Sequence, residues 1–165
     1  MNAMLKKLVD QGFMNEAQGA YLEEAMARKE SMIVSGHKGW GILPLFATMS
    51  AVAKSSFSIK QVKGFEDLGG DTQYYVIADL KDIDYGKLIS DAMMIPDTGM
   101  ICLKDPDHPY SIMKIFGDVK KAGIDQSKVF QVLECAKEND VKFLAKITRM
   151  GWDENGKLVK EDFKG

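Results

Sequence analysis

Cysteine is scarce in this chain, and the two present, Cys102 and Cys135, stand far apart without a Cys-x-x-Cys spacing. That excludes a disulfide framework and a zinc ribbon, and leaves two buried thiols as the expectation. Histidine is as rare: His37 and His108 each lie in a glycine- or proline-containing loop and form no His-x-His ligand pair. No apolar run reaches the eighteen or so residues of a membrane span, and the N-terminus carries no signal-peptide apolar core. A cytoplasmic setting is therefore expected. With 22 Lys and Arg against 24 Asp and Glu, the net charge is −2 and no basic block occurs. Nucleic acid and anionic membranes are excluded as main partners, because both need clustered positive charge. The 45% apolar and 28% charged composition over 165 residues fits one globular domain with a sizeable core.

The most informative segment is Ser35-Gly36-His37-Lys38-Gly39-Trp40-Gly41-Ile42-Leu43. Gly36 and Gly41 keep the spacing of the phosphate-binding pattern G-x-x-x-x-G-K-[ST], in which backbone N–H groups curl around phosphates. The lysine and hydroxyl positions of that pattern hold Ile42 and Leu43. Neither supplies charge to a phosphate or oxygen to Mg²⁺. The context suits such a loop: Ser31 to Val34 reads as a buried strand, and Leu45, Phe46, Met49, Val52 and Ala53 recur at helical spacing behind Pro44. Gly36, His37, Lys38, Gly39 and Gly41 are the candidate phosphate loop. The alternative is that these glycines merely turn a strand into a helix.

The remaining pattern gives an order of elements. Two N-terminal helices occupy residues 1–30, the second capped by Asn15. A strand is expected around Phe57, Ile59 and Val62 and another over Gln73 to Leu80. Asp84 caps a helix that Pro96-Asp97 stops, and Gly99 to Leu103 is a compact buried strand. Asp107 and Pro109 are expected to open a helix through Lys121, and Asp125 to open another carrying Val129, Phe130, Val132, Leu133 and Ala136. Val141 to Phe163 reads as a hairpin around Asn155-Gly156. The fold class expected is α/β, a mostly parallel sheet with helices on both faces, preceded by N-terminal helices and ended by a β-hairpin. It forms one domain: helices over 1–30, an α/β core over 31–124, and a helix plus hairpin over 125–165. Ligands of such sheets bind at the carboxyl ends of strands, where the glycine loop falls.

In order of motifs, residues 4 to 120 resemble the ATPase core of type II and type IV secretion and pilus-assembly motors. An alanine-containing acidic helix ends in basic residues and leads through Met32-Ile33-Val34 into the loop. Later come Pro96-Asp97, the apolar strand Met100 to Leu103 and the turn Lys104-Asp105-Pro106-Asp107. The resemblance implies a P-loop fold, assembly with copies or homologues, and a glutamate at the end of the later strand. This chain departs from it there: the aligned residue is Cys102 or Leu103, Glu66-Asp67 is all that matches the acidic box, and Gly117 to Val129 holds no histidine box. Phosphoryl transfer is positioning and charge stabilisation, so losing these groups together leaves negligible hydrolysis.

The expectation is a catalytically inactive domain with no catalytic residue and no metal ligand. It has no cofactor beyond weakly bound nucleotide or phosphate, and a protein partner or self-association as a homo-oligomer. The alternatives are a nucleotide or phosphate module using the loop amides and Lys38, and an unrelated small α/β enzyme using Asp105, Asp107 or His108 as acid or base.

Overall fold

The computed structural model describes every residue from Met1 to Gly165. Seven strands form one sheet in the order β2-β3-β4-β1-β5-β6-β7. They are β1 (Ser31–Ser35), β2 (Ile59–Gln61), β3 (Tyr74–Val76), β4 (Gly99–Lys104), β5 (Phe130–Glu138), β6 (Val141–Trp152) and β7 (Leu158–Asp162). The first five run parallel, and β6 and β7 complete the sheet antiparallel. Five helices cover it: α1 (Ala3–Asp10), α2 (Glu16–Ala27), α3 (Ile42–Ser56), α4 (Tyr85–Met93) and α5 (Ile112–Lys121). The expected α/β class, the helices on both faces and the closing hairpin are all present. No helix is long and apolar enough to cross a membrane.

Alternation along the strands builds two cores, because successive side chains point to opposite faces. Met32 and Val34 of β1, Ile101 and Leu103 of β4, and Leu133 and Cys135 of β5 join α1, α2 and α3 on one face. Ile33, Met100, Cys102 and Val132 join α4 and α5 on the other. The central strands are buried on both faces, hence their unbroken apolar runs. Local chemistry fixes the helix starts. Asn15 accepts from the Gln18 N–H and Gln18 returns the bond, a reciprocal cap on α2, and Asp84 accepts from the Lys87 N–H at the start of α4.

Two expectations need correction. The helix after the fourth strand does not open at Asp107 or Pro109: Ser111 caps it, accepting from the Lys114 N–H at 3.2 Å. Asp107 and His108 are thereby left in a turn facing the site. Residues 125–138 hold no helix, so 125–165 is a three-stranded antiparallel extension rather than a helix plus hairpin. Val129, Phe130, Val132, Leu133 and Ala136 have helical spacing, yet the segment pairs with β1 from Ser31↔Phe130 to Ser35↔Glu134. A continuously apolar central strand is indistinguishable from a helix by periodicity alone. The discriminating signal was Asn139-Asp140, whose φ values of 49° and 63° make the tight turn into β6.

Candidate functional site

The chain leaves β1 for the far edge at β2, returns through β3 and β4, then steps across β1 to β5. The loops that follow β1, β3 and β4 therefore gather at one end of the sheet, where α/β folds place ligands. The first contains Gly36 to Gly41, the second Asp79, and the third Asp105, Asp107 and His108.

The glycine loop packs closely against the protein. The Gly36 N–H donates to the Lys104 carbonyl at 3.1 Å, tying the loop to the end of β4. The His37 ring lies 4.3 Å from that of Trp40, and its carbonyl accepts from the Trp40 N–H. Trp40 in turn packs against the core shared by α1, α2 and α3. Gly41 caps α3 at φ 90°, and a Cβ there would stand 2.5 Å from the Phe13 ring. That close approach and positive φ both require glycine. Ile42, at the lysine position of the pattern, is completely buried, whereas Leu43 at the hydroxyl position is 45% exposed. Gly39 has open space around it.

Lys38 is the loop's one charged side chain, and it reaches across the surface to the loops after β3 and β4. Its ammonium lies 2.9 Å from Asp79 Oδ2 and 2.9 Å from Asp107 Oδ2. These contacts, Asp107 first and Asp79 second, raise the Lys38 pKa, and the same ammonium holds the Asp107 carboxyl below its ordinary value. Asp107 is 65% exposed, so this bridge sits in screened solvent.

Beneath it lies a buried pair. His108 Nδ1 is 2.7 Å from Asp105 Oδ1, and Nε2 is 3.1 Å from the Leu80 carbonyl and 3.4 Å from Asp79 Oδ1. The side chains are 3% and 0% exposed, and Asp105 Oδ2 has no hydrogen-bond partner. Two tyrosines brace the strand ends. Tyr85 donates to the Ile77 carbonyl and accepts from the Leu103 N–H, and its ring lies 4.1 Å from His108. Tyr110 donates to the Leu103 carbonyl at 2.8 Å. Burial drives the pKa of both phenols well above the ordinary value. An open cleft of about 700 Å³ lies alongside, walled by residues 79–86 and 107–110, including Asp79, Asp82, Asp84 and Asp107. No three-residue cluster of His, Cys, Asp or Glu has the geometry to hold a metal ion.

The structure thus brings Lys38, Asp107, Asp105 and His108 together and adds Asp79, which the sequence reading passed over because it lies inside the segment read as a strand, 73–80. The visible signal was its place as the first carboxylate after the apolar run Tyr74 to Ala78. Cys102 and Leu103 are fully buried on opposite faces, and burial pushes the Cys102 thiol up to about 12. Glu66 and Asp67 lie in a 3₁₀ turn between β2 and β3, where Asp67 accepts from the Lys63 N–H. Among protein-family models and curated proteins, none is similar enough to this chain to match it.

Proposed function

We propose that this chain is a catalytically inactive, P-loop-like domain of the secretion-ATPase type that works as a regulatory or structural subunit through contacts with protein. The observation that carries this reading is the position of Lys38. The only charge in the glycine loop is held by Asp79 and Asp107 at 2.9 Å each instead of facing a ligand. The lysine position of the motif holds fully buried Ile42, and Pro44 removes a further N–H from the first turn of α3. A terminal phosphate approaching this loop meets no free cation and two carboxylates. The domain is read as cytoplasmic, without a resident cofactor, and assembling with a protein partner or with its own copies.

A second reading, a phosphate or nucleotide module without turnover, has one observation in its favour. The backbone N–H groups of His37, Lys38, Gly39, Gly41, Ile42 and Leu43 donate to no acceptor within the protein. Such amides attract anions. That reading requires Lys38 to leave both carboxylates. The third, acid–base catalysis by His108, finds both of its ring nitrogens already engaged and its side chain 3% exposed.

The test is phosphate release from MgATP by the wild type and by Lys38→Met, measured on monodisperse preparations. The expected result is the same background rate for both. Turnover by the wild type that Lys38→Met abolishes overturns the reading.

A further inference from the structure

Five polar side chains run in a row across the carboxyl edge of the sheet, three carboxyl groups spaced by an imidazole and an ammonium: Asp105, His108, Asp79, Lys38 and Asp107. The successive separations are 2.7, 3.4, 2.9 and 2.9 Å. The row begins in the interior at Asp105 and His108 and ends in solvent at Asp107, joining all three loops of the site.

We propose that this row is a latch on the glycine loop. Asp105 and His108 are its fixed end, and the bridge from Asp79 through Lys38 to Asp107 is the end that releases. The inference rests on the reading of the loop as closed in the resting protein.

The two ends differ in the way a latch requires. The Asp105–His108 hydrogen bond is buried, out of reach of solvent, and His108 is held further by the Leu80 carbonyl and the Tyr85 ring. Asp79 is therefore presented from a rigid base. Lys38 is 42% exposed and Asp107 65%, and bridges of this kind contribute little and weaken with salt. The loop segment between them has few other restraints. The N–H groups of residues 37, 38 and 39 bond to no acceptor, and Gly39 has nothing within 4 Å of where a Cβ would stand. Between the anchor at Gly36 and the cap at Gly41, the Lys38 bridges and the packing of Trp40 fix the segment. Trp40, two residues beyond Lys38, is partly buried against the core, so release of Lys38 is read directly at the indole. His108 is a positioning residue in this device: it holds the Leu80 carbonyl next to Asp79, and Asp79 sets Lys38.

The test is acrylamide quenching of Trp40 fluorescence in the full chain carrying Trp152→Phe, which leaves Trp40 as its only tryptophan. Lys38→Met, and separately Asp79→Asn with Asp107→Asn, should each raise the quenching constant, by about twofold where the lost bridges held the loop by a few tenths of a kcal/mol. Raising KCl from about 0.05 to about 0.5 M should do the same in the parent and nothing further in Lys38→Met. His108→Gln should match Lys38→Met; if it does not fold, the salt series and Lys38→Met still decide. Lys87→Met, which removes an exposed bridge to Asp91 in α4, is the control and should leave quenching unchanged. A Lys38→Met protein with native circular dichroism and parental quenching at both salt concentrations overturns the latch. Nucleotide turnover would overturn the inactive reading and leave the Trp40 result standing, so the two failures are distinguishable.

Discussion

Lys38, in the loop after β1, and Asp79, just beyond β3, meet at 2.9 Å across the end of the intervening strand β4. The contact turns a loop with ligand-binding glycine spacing toward the protein itself. It also links two segments separated by 41 residues, so the chemistry of one loop depends on the charge of another.

Because Lys38 lowers the Asp107 pKa, the bridge has a defined pH window. A carboxyl depressed below its unfolded value of 3.8 contributes stability above that value and loses it as pH falls through the folded one. A lysine raised above 10.5 contributes below that value and loses it as pH rises through the folded one. The stability difference between wild type and Lys38→Met is therefore expected to be constant between about pH 5 and pH 9 and to shrink at both extremes. Urea denaturation of both proteins from acid to alkaline pH measures this. Both groups are exposed, so the difference is small, and added salt should reduce it.

The two loop glycines should differ in what they tolerate. Gly39 and Gly41 share a positive φ, 89° and 90°, but only Gly41 faces another group, the Phe13 ring. Gly39→Ala should cost about 1 kcal/mol, the left-handed penalty alone. Gly41→Ala should cost about 2–4 kcal/mol, because steric conflict adds to it. Combining Gly41→Ala with Phe13→Ala should cost less than the sum of the single changes. Equal costs at Gly39 and Gly41 would contradict the packing of α1 and its following turn on this loop.

At the opposite end of the sheet, Lys128 donates to the carbonyl of Met93, the last residue of α4, and to that of Ile95 just beyond it. Burial is the largest influence on it and brings its pKa down to about 8, partly opposed by Asp125 and Asp97. The unfolded chain then binds more protons than the folded one between that value and 10.5, so this group makes stability rise with pH across the window. Lys128→Met should flatten that rise in denaturation curves taken from about pH 7.5 to about pH 10.5.

How much of this could be read from the sequence follows from which forces were local. Caps at Asn15 and Asp84, the Pro96-Asp97 stop and the Asn155-Gly156 turn act within a few residues, and their elements stand where expected. β5 was misread because its burial comes from pairing with β1, about a hundred residues earlier, and no local pattern carries that. The same reason hid half of the site. Gly36 to Gly41 is contiguous and visible as a motif, whereas its electrostatic partners come from the loops after β3 and β4 and meet it only through the strand order. Asp107 was read as a helix cap because it precedes Pro109. Ser111 holds that role, which frees Asp107 for Lys38.

The most direct measurement is calorimetric titration of the purified protein with ATP and ADP, with and without Mg²⁺, repeated on Lys38→Ala. A closed, inactive loop predicts no saturable heat at millimolar nucleotide in either protein. Stoichiometric binding by the wild type that is lost in Lys38→Ala would contradict it, because Lys38 would then be a nucleotide ligand.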